Sequence, residues 1–186
     1  MSVELQRRRF TVDEYYAMAA AGILTEDDRV ELIEGEIIEM ASIGSEHAAC
    51  VNRLTHLLVA QVGDQAVVTV QNPVRLSDLN EPQPDVAVAR PRKDFYAKAH
   101  PGPADALLVI EVAHTTLGYD RGIKLPIYAR TGVPEVWIVD VDARVVEVYA
   151  KPVGGRYQIE QRSVAGDVLR PQLLPDVAAP VERILG

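Results

Sequence analysis

At 186 residues, with 48% hydrophobic and 25% charged content, the chain is long enough to bury a core without staples and is predicted to form a single domain over residues 1–186. A net charge of −8 argues against coating nucleic acid through bulk positive charge, while leaving room for a local basic patch or a bridging metal. The lone cysteine, Cys50, excludes an internal disulfide, and no secretory-type leader or run of about 18 apolar residues occurs, so a cytoplasmic protein without a membrane span is expected.

Residues 1–9, carrying Arg7, Arg8 and Arg9, are expected to form a loose arm. Thr11 and Glu14 have capping-box spacing, and Tyr15, Met18 and Ala19 continue a helix that should stop at Gly22. Val30–Ile33 and Glu36–Met40 flank Glu34-Gly35, a tight hairpin turn. Ser45 is read as the N-cap of a longer helix, with His47, Val51, Leu54 and Leu58 on one face and its end by Gly63. Ala66–Val70 and Pro73–Leu76 read as short strands before the polar turn at Asp78–Pro82. Pro84-Asp85 then leads into Val86–Ala89. The most basic loop follows, with Arg90, Arg92, Lys93 and Lys98 interleaved with Phe95 and Tyr96.

The stretch from Leu107 to Asp140 organises the rest. Leu107-Leu108-Val109-Ile110 reads as a strand buried on both faces, and it ends on Glu111. A carboxylate there costs several kcal/mol to desolvate unless a metal, a cation or local water offsets it. Lys124 opens a helix-like segment, and Val136–Val139 forms a second strand closing on Asp140. This is a βαβ unit, and open sheets place their chemistry at the carboxyl end of such strands. Pro126 would kink a helix interior, so the helix is expected to start late, near Ile123. Arg144–Tyr149 and Arg156–Gln161 form a hairpin around Gly154-Gly155, and the proline-rich residues 171–186 are expected to be a surface tail.

Pro84-Asp85, Glu111-Val112-Ala113 and Lys124, in that order, resemble the PD-(D/E)XK nuclease superfamily. The resemblance extends to its Uma-type restriction-endonuclease-like branch through Val30–Met40, the helix carrying His47, Pro84–Val88 and the Glu111–Asp140 unit. It implies an α/β (mixed α+β) fold: a mixed central sheet flanked by helices, with an N-terminal β-hairpin and a C-terminal β extension. It implies that Asp85 and Glu111 are catalytic carboxylates holding Mg²⁺ or Mn²⁺. It further implies an endonuclease acting on nucleic acid, DNA in the first instance, as a homodimer. The chemistry is consistent, because phosphodiester hydrolysis needs a hard cation, and Mg²⁺ typically takes one or two protein carboxylates. The chain departs from the written motif at Ala113, where the family's strand lysine would stand, and Lys124 is the natural catalytic substitute.

Each residue also has a plainer reading. Asp85 after proline fits turn chemistry. Lys124 has Asp120 four residues before it, a helix pair worth only ~0.2–0.5 kcal/mol. His47 fits a core histidine as well as the site-lining role the resemblance implies, and Glu31 fits solvent exposure as well as a place lining the site. Tyr128 fits packing as well as site. His114 should face away from Glu111 because side chains alternate along a strand. The alternative function is a non-catalytic nucleic-acid-binding or assembly module on the same fold.

Overall fold

Alternation along the central strands builds the protein in layers. The computed structural model describes residues 7–25 and 27–186, so residues 1–6 of the expected arm lie outside the described residues. Arg7–Arg9 run beside the first hairpin, where Phe10 donates its N–H to the Gly35 carbonyl (2.8 Å). The capping box at Thr11 and Glu14 forms as expected and starts α1 (Val12–Ala20). The hairpin β1 (Val30–Ile33) and β2 (Glu36–Glu39) turns at Glu34 and Gly35, with φ of 50° and 77°. Both positive angles suit a type I′ turn. A Cβ at Gly35 would also meet Arg9 at 2.6 Å, so the residue is needed on two counts.

The long helix α2 (Ser45–Val62) is capped by Gly44 rather than by the predicted Ser45. Ser45 is already helical, and Ala48 donates to the Gly44 carbonyl (3.0 Å). The six-stranded sheet has the order β3-β4-β5-β6-β7-β8, from β3 (Val67–Val70), β4 (Val86–Ala89), β5 (Ala106–Ala113), β6 (Glu135–Asp140), β7 (Val145–Val153) and β8 (Arg156–Ser163). Among the described residues only β5 and β6 pair in parallel, and the helical crossover between them is the predicted βαβ unit. All eight residues of β5 are buried, as the unbroken apolar run implied. Val86, Leu108, Ile110, Trp137 and Val139 pack one face against α2 residues. Ala87, Val109, Ala113, Val136 and Ile138 pack the other against Ile127 and Tyr128.

Three further expectations need correction. Pro73–Leu76 is not a ladder strand. Val74 donates to the Pro82 carbonyl (2.9 Å) and Leu76 to that of Asn80 (2.9 Å), but prolines 73, 82 and 84 supply no N–H to continue a ladder. The crossover helix does not start late at Ile123. It begins at α3 (Leu117–Tyr119), widens into a π turn over Asp120–Lys124, and continues as α4 (Leu125–Thr131). The Leu125 N–H reaches back to the Asp120 carbonyl, which gives the ring of Pro126 the space an α turn would deny it. Finally, residues 171–186 are not a surface tail. Leu174, Val177, Ala179, Val181, Ile184 and Leu185 are core residues, through β9 (Val168–Leu169), β10 (Ala179–Pro180) and α5 (Val181–Leu185). Arg53 on α2 fastens this end by donating to the carbonyls of Ile184 (2.9 Å) and Leu185 (2.8 Å). No helix among the described residues is long and apolar enough to cross a membrane.

Candidate active site

The register of the sheet brings the predicted carboxylates together. Val86 stands opposite Ile110 across the antiparallel β4–β5 pair, so Asp85 and Glu111 are the next positions on adjoining strands. Asp85 Oδ2 accepts the backbone N–H of Val112 (2.8 Å), which fixes the carboxylate against the end of β5. His47 Nε2 lies 3.0 Å from Asp85 Oδ1. That contact with Asp85 holds the imidazole protonated to higher pH than usual, against the opposing pull of burial. His47 is therefore no ordinary core histidine, and its Nδ1 is buried without a partner among the described residues.

Lys124 is buried, and its ammonium lies 3.1 Å from Glu31 Oε2 and 3.2 Å from Glu111 Oε1. Its expected partner Asp120 accepts instead from the Thr116 hydroxyl (2.7 Å). Glu31 thus points inward from β1, where it also accepts from the Tyr119 hydroxyl (3.1 Å) and the Gln83 N–H (3.0 Å). Tyr128 donates to Glu111 Oε1 at 2.6 Å in the fully buried interior. Its hydroxyl is held protonated by burial and by the neighbouring Glu111 charge. Burial pushes Glu111 up to about 8 from its ordinary 4.5; Lys124 opposes the shift while Asp120, Asp85 and Glu31 reinforce it. Burial disfavours the Lys124 ammonium, but Glu111, Glu31 and Asp120 outweigh it and keep the amine charged.

All five sequence-derived candidates, Glu31, His47, Asp85, Glu111 and Lys124, line one cavity of 470 Å³. Glu39 and Asp120 add to its wall, giving five carboxylates against two strongly basic side chains, Arg29 and Lys124. No three His, Cys, Asp or Glu side chains converge on a point among the described residues. The donor set nonetheless fits a hard cation of the Mg²⁺ type, which takes one or two carboxylates and fills the remaining positions with water. Soft metals would want sulfur or several imidazoles.

Sequence reasoning passed over Tyr119, took Asp120 only as a helix partner of Lys124, and left Tyr128 undecided. Asp120, Lys124 and Tyr128 lie four residues apart along one helical stripe, a spacing visible in the sequence. His114 is exposed and contacts Asp142 (3.2 Å), but it still reaches the cavity wall.

The profile of the Uma2 family, described as "Putative restriction endonuclease", matches residues 12–182. The chain belongs to the Uma2 family. A similar solved structure is that of "a putative nuclease belonging to DUF820" from Anabaena variabilis ATCC 29413. It superposes with a TM-score of 0.71 at 19% identity, covering 95% of the Uma2 chain and 97% of the other. At that identity the likeness speaks for a shared fold, the mixed sheet flanked by helices. No curated protein sequence matches this Uma2 chain.

Proposed function

We propose that this Uma2 protein is a nuclease that hydrolyses phosphodiester bonds of DNA with the aid of Mg²⁺ or Mn²⁺. The observation that carries the reading is the cavity itself: Asp85 and Glu111 side by side on adjoining strands, with the buried ammonium of Lys124 at 3.2 Å from Glu111. The restriction-endonuclease description of the family and the nuclease description of the Anabaena protein point the same way.

Asp85 and Glu111 would hold the ion. When bound, it supplies charge neutralisation at the phosphate and a more acidic water. The excess of carboxylates would otherwise repel the substrate. The protein's own groups do the positioning. The Val112 N–H and His47 orient Asp85, and Tyr128 orients Glu111. Glu31 anchors Lys124 from β1. An ammonium has three N–H donors, so with two directed at Glu31 and Glu111 the third remains for a phosphate oxygen. Lys124 thereby takes over at the transition state what Ala113 cannot do.

A duplex has two strands of opposite polarity, which a two-fold homodimer matches. Light scattering should give twice the 20.4 kDa chain mass. The test of function is single-turnover cleavage of duplex and single-stranded DNA with Mg²⁺ or Mn²⁺. Wild type should cut, and the chelated protein should not. Absence of cleavage across substrates and metals would overturn the reading in favour of a non-catalytic nucleic-acid-binding module.

A further inference from the structure

The most basic loop of the sequence stands at the far end of β4 from the candidate site. Asp85 precedes Val86 and Arg90 follows Ala89, which separates them by about 16 Å along an extended strand. Within that loop, Arg92 is tied to Asp94 by two hydrogen bonds (2.7 and 2.6 Å), and Arg90 donates to the Ala104 carbonyl (3.1 Å). A polyanion seated over Asp85 and Glu111 must therefore find its positive charge elsewhere. Lys124 is one source, buried between Glu31 and Glu111.

The first hairpin supplies a second. Met40 donates its N–H to the Arg29 carbonyl (2.8 Å), which extends the β1–β2 register by one pair. Glu31 pairs with Ile38 and Arg29 with Met40, and residues two apart on a strand share a face. All four line the carboxylate cavity. Glu31 is buried and meets Lys124 in the interior. Arg29 is exposed and stands two residues back, about 6.5 Å along the strand, where the cavity meets solvent. Its Nη1 donates to a neutral acceptor, the Ala41 carbonyl (3.2 Å), and it forms no ion pair with the five carboxylates of the cavity. Arg7, Arg8, Arg75, Arg92, Arg121 and Arg130, by contrast, each meet a carboxylate. A guanidinium has five N–H donors, so the bond to Ala41 leaves the fork open to an anion.

We propose that Arg29 is a phosphate-binding residue at the mouth of this site, taking a phosphate of the bound strand next to the one over Asp85, Glu111 and Lys124. One strand is then held at two phosphates, by an ammonium inside the cavity and a guanidinium at its rim. The assignment rests on the nucleic-acid reading of this Uma2 chain but not on cleavage. Charge-assisted bonds to a phosphate are stronger than the bond to a neutral carbonyl, so the guanidinium gains by turning to the strand. A contact to the backbone fixes the position of the strand and reads no base. The basic loop beyond β4 takes no part.

The test is the salt dependence of binding, read by fluorescence anisotropy of a short labelled DNA duplex with the full chain. Ca²⁺ is present throughout as a hard cation suited to oxygen ligands. Each phosphate contact contributes about 0.9 to the slope of log affinity against log salt. Arg29→Gln should lower the slope by about that amount and weaken binding about tenfold, alike for unrelated sequences. Arg29→Lys keeps the charge and loses the fork, so it should keep the wild-type slope and recover part of the affinity. Lys93→Gln combined with Lys98→Gln, in the basic loop, should leave the slope unchanged. A wild-type slope in Arg29→Gln, or a slope lowered by the loop pair instead, would overturn the assignment and leave the nuclease reading standing. Equal losses in Arg29→Gln and Arg29→Lys would also overturn it, since they would mark a structural role. No binding by wild type would overturn both readings. Cleavage is not read, so a protein that cuts nothing can still pass.

Discussion

Glu111 and Glu135 are both buried glutamates on the adjoining parallel strands β5 and β6, yet their surroundings are opposite. Glu135 is held by neutral donors on both oxygens: the Trp137 indole N–H at 2.6 Å and the Gln172 backbone N–H at 2.7 Å. It does not line the cavity of the candidate site, and it pins the C-terminal segment to the sheet. Glu111 shares one oxygen between Tyr128 and Lys124 and faces a cavity with four other carboxylates. Burial raises the pKa of both groups. The comparison teaches that a buried carboxylate is not by itself a sign of chemistry. What separates the two is whether neutral donors close the site or charge and open space remain.

The largest effect expected from disturbing this contrast is on the reaction. Lys124→Met should slow single-turnover cleavage by about 10²–10³, or roughly 3–4 kcal/mol, the usual loss for one transition-state charge stabiliser. Glu135→Gln should cut at the wild-type rate. A Lys124→Met protein as fast as wild type would remove Lys124 from the mechanism.

Next comes the support of Glu111, the carboxylate proposed to hold the ion. Tyr128→Phe removes the 2.6 Å hydrogen bond to Glu111 while keeping the ring in the core. Loss of such an outer partner typically lowers metal affinity about 10–100-fold, which Mn²⁺ titration would read. Unchanged affinity would make Tyr128 a packing residue only.

On the structural side, Glu135→Gln presents an amide N–H₂ to a site with two donors. Leaving one of them unpaired costs about 1–3 kcal/mol, so thermal unfolding should show a lower midpoint. At this chain length each kcal/mol shifts the midpoint by about 2–4 °C. An unchanged midpoint would mean that the C-terminal segment does not depend on Glu135.

The smallest effect is pH dependence without metal. Burial raises Glu111 from 4.5 to about 8, so between those values the native state holds a proton that the unfolded chain has released. Stability associated with Glu111 is therefore greatest below 4.5 and declines as pH rises through about 8. Melting of chelated wild type should fall over that window relative to Glu111→Gln. Parallel curves would contradict the shift.

Much of this was legible in the sequence because it rests on local patterns. The apolar run ending at Glu111, the Pro-Asp before Val86 and the turn at Glu34-Gly35 each carry their structure in adjacent residues. Lys124 stands out in the sequence because Ala113 occupies the motif's lysine position, and the fold brings its ammonium to 3.2 Å from Glu111. Its contact with Glu31 was hidden, since these residues are far apart in sequence and meet only when the hairpin folds over the crossover helix. The π turn was hidden for a different reason. Pro126 reads as a breaker, and only the packed helix shows that widening one turn accommodates its ring. The proline-rich C-terminus misled similarly, because its apolar residues follow no regular period and their burial depends on α2 and Arg53.

The most direct test of the central claim is Mn²⁺ calorimetry on wild type, Glu111→Gln and Glu135→Gln. The account predicts binding to wild type and Glu135→Gln with equal affinity, and loss of binding in Glu111→Gln. Equal binding in all three, or binding lost through Glu135 instead, would contradict it.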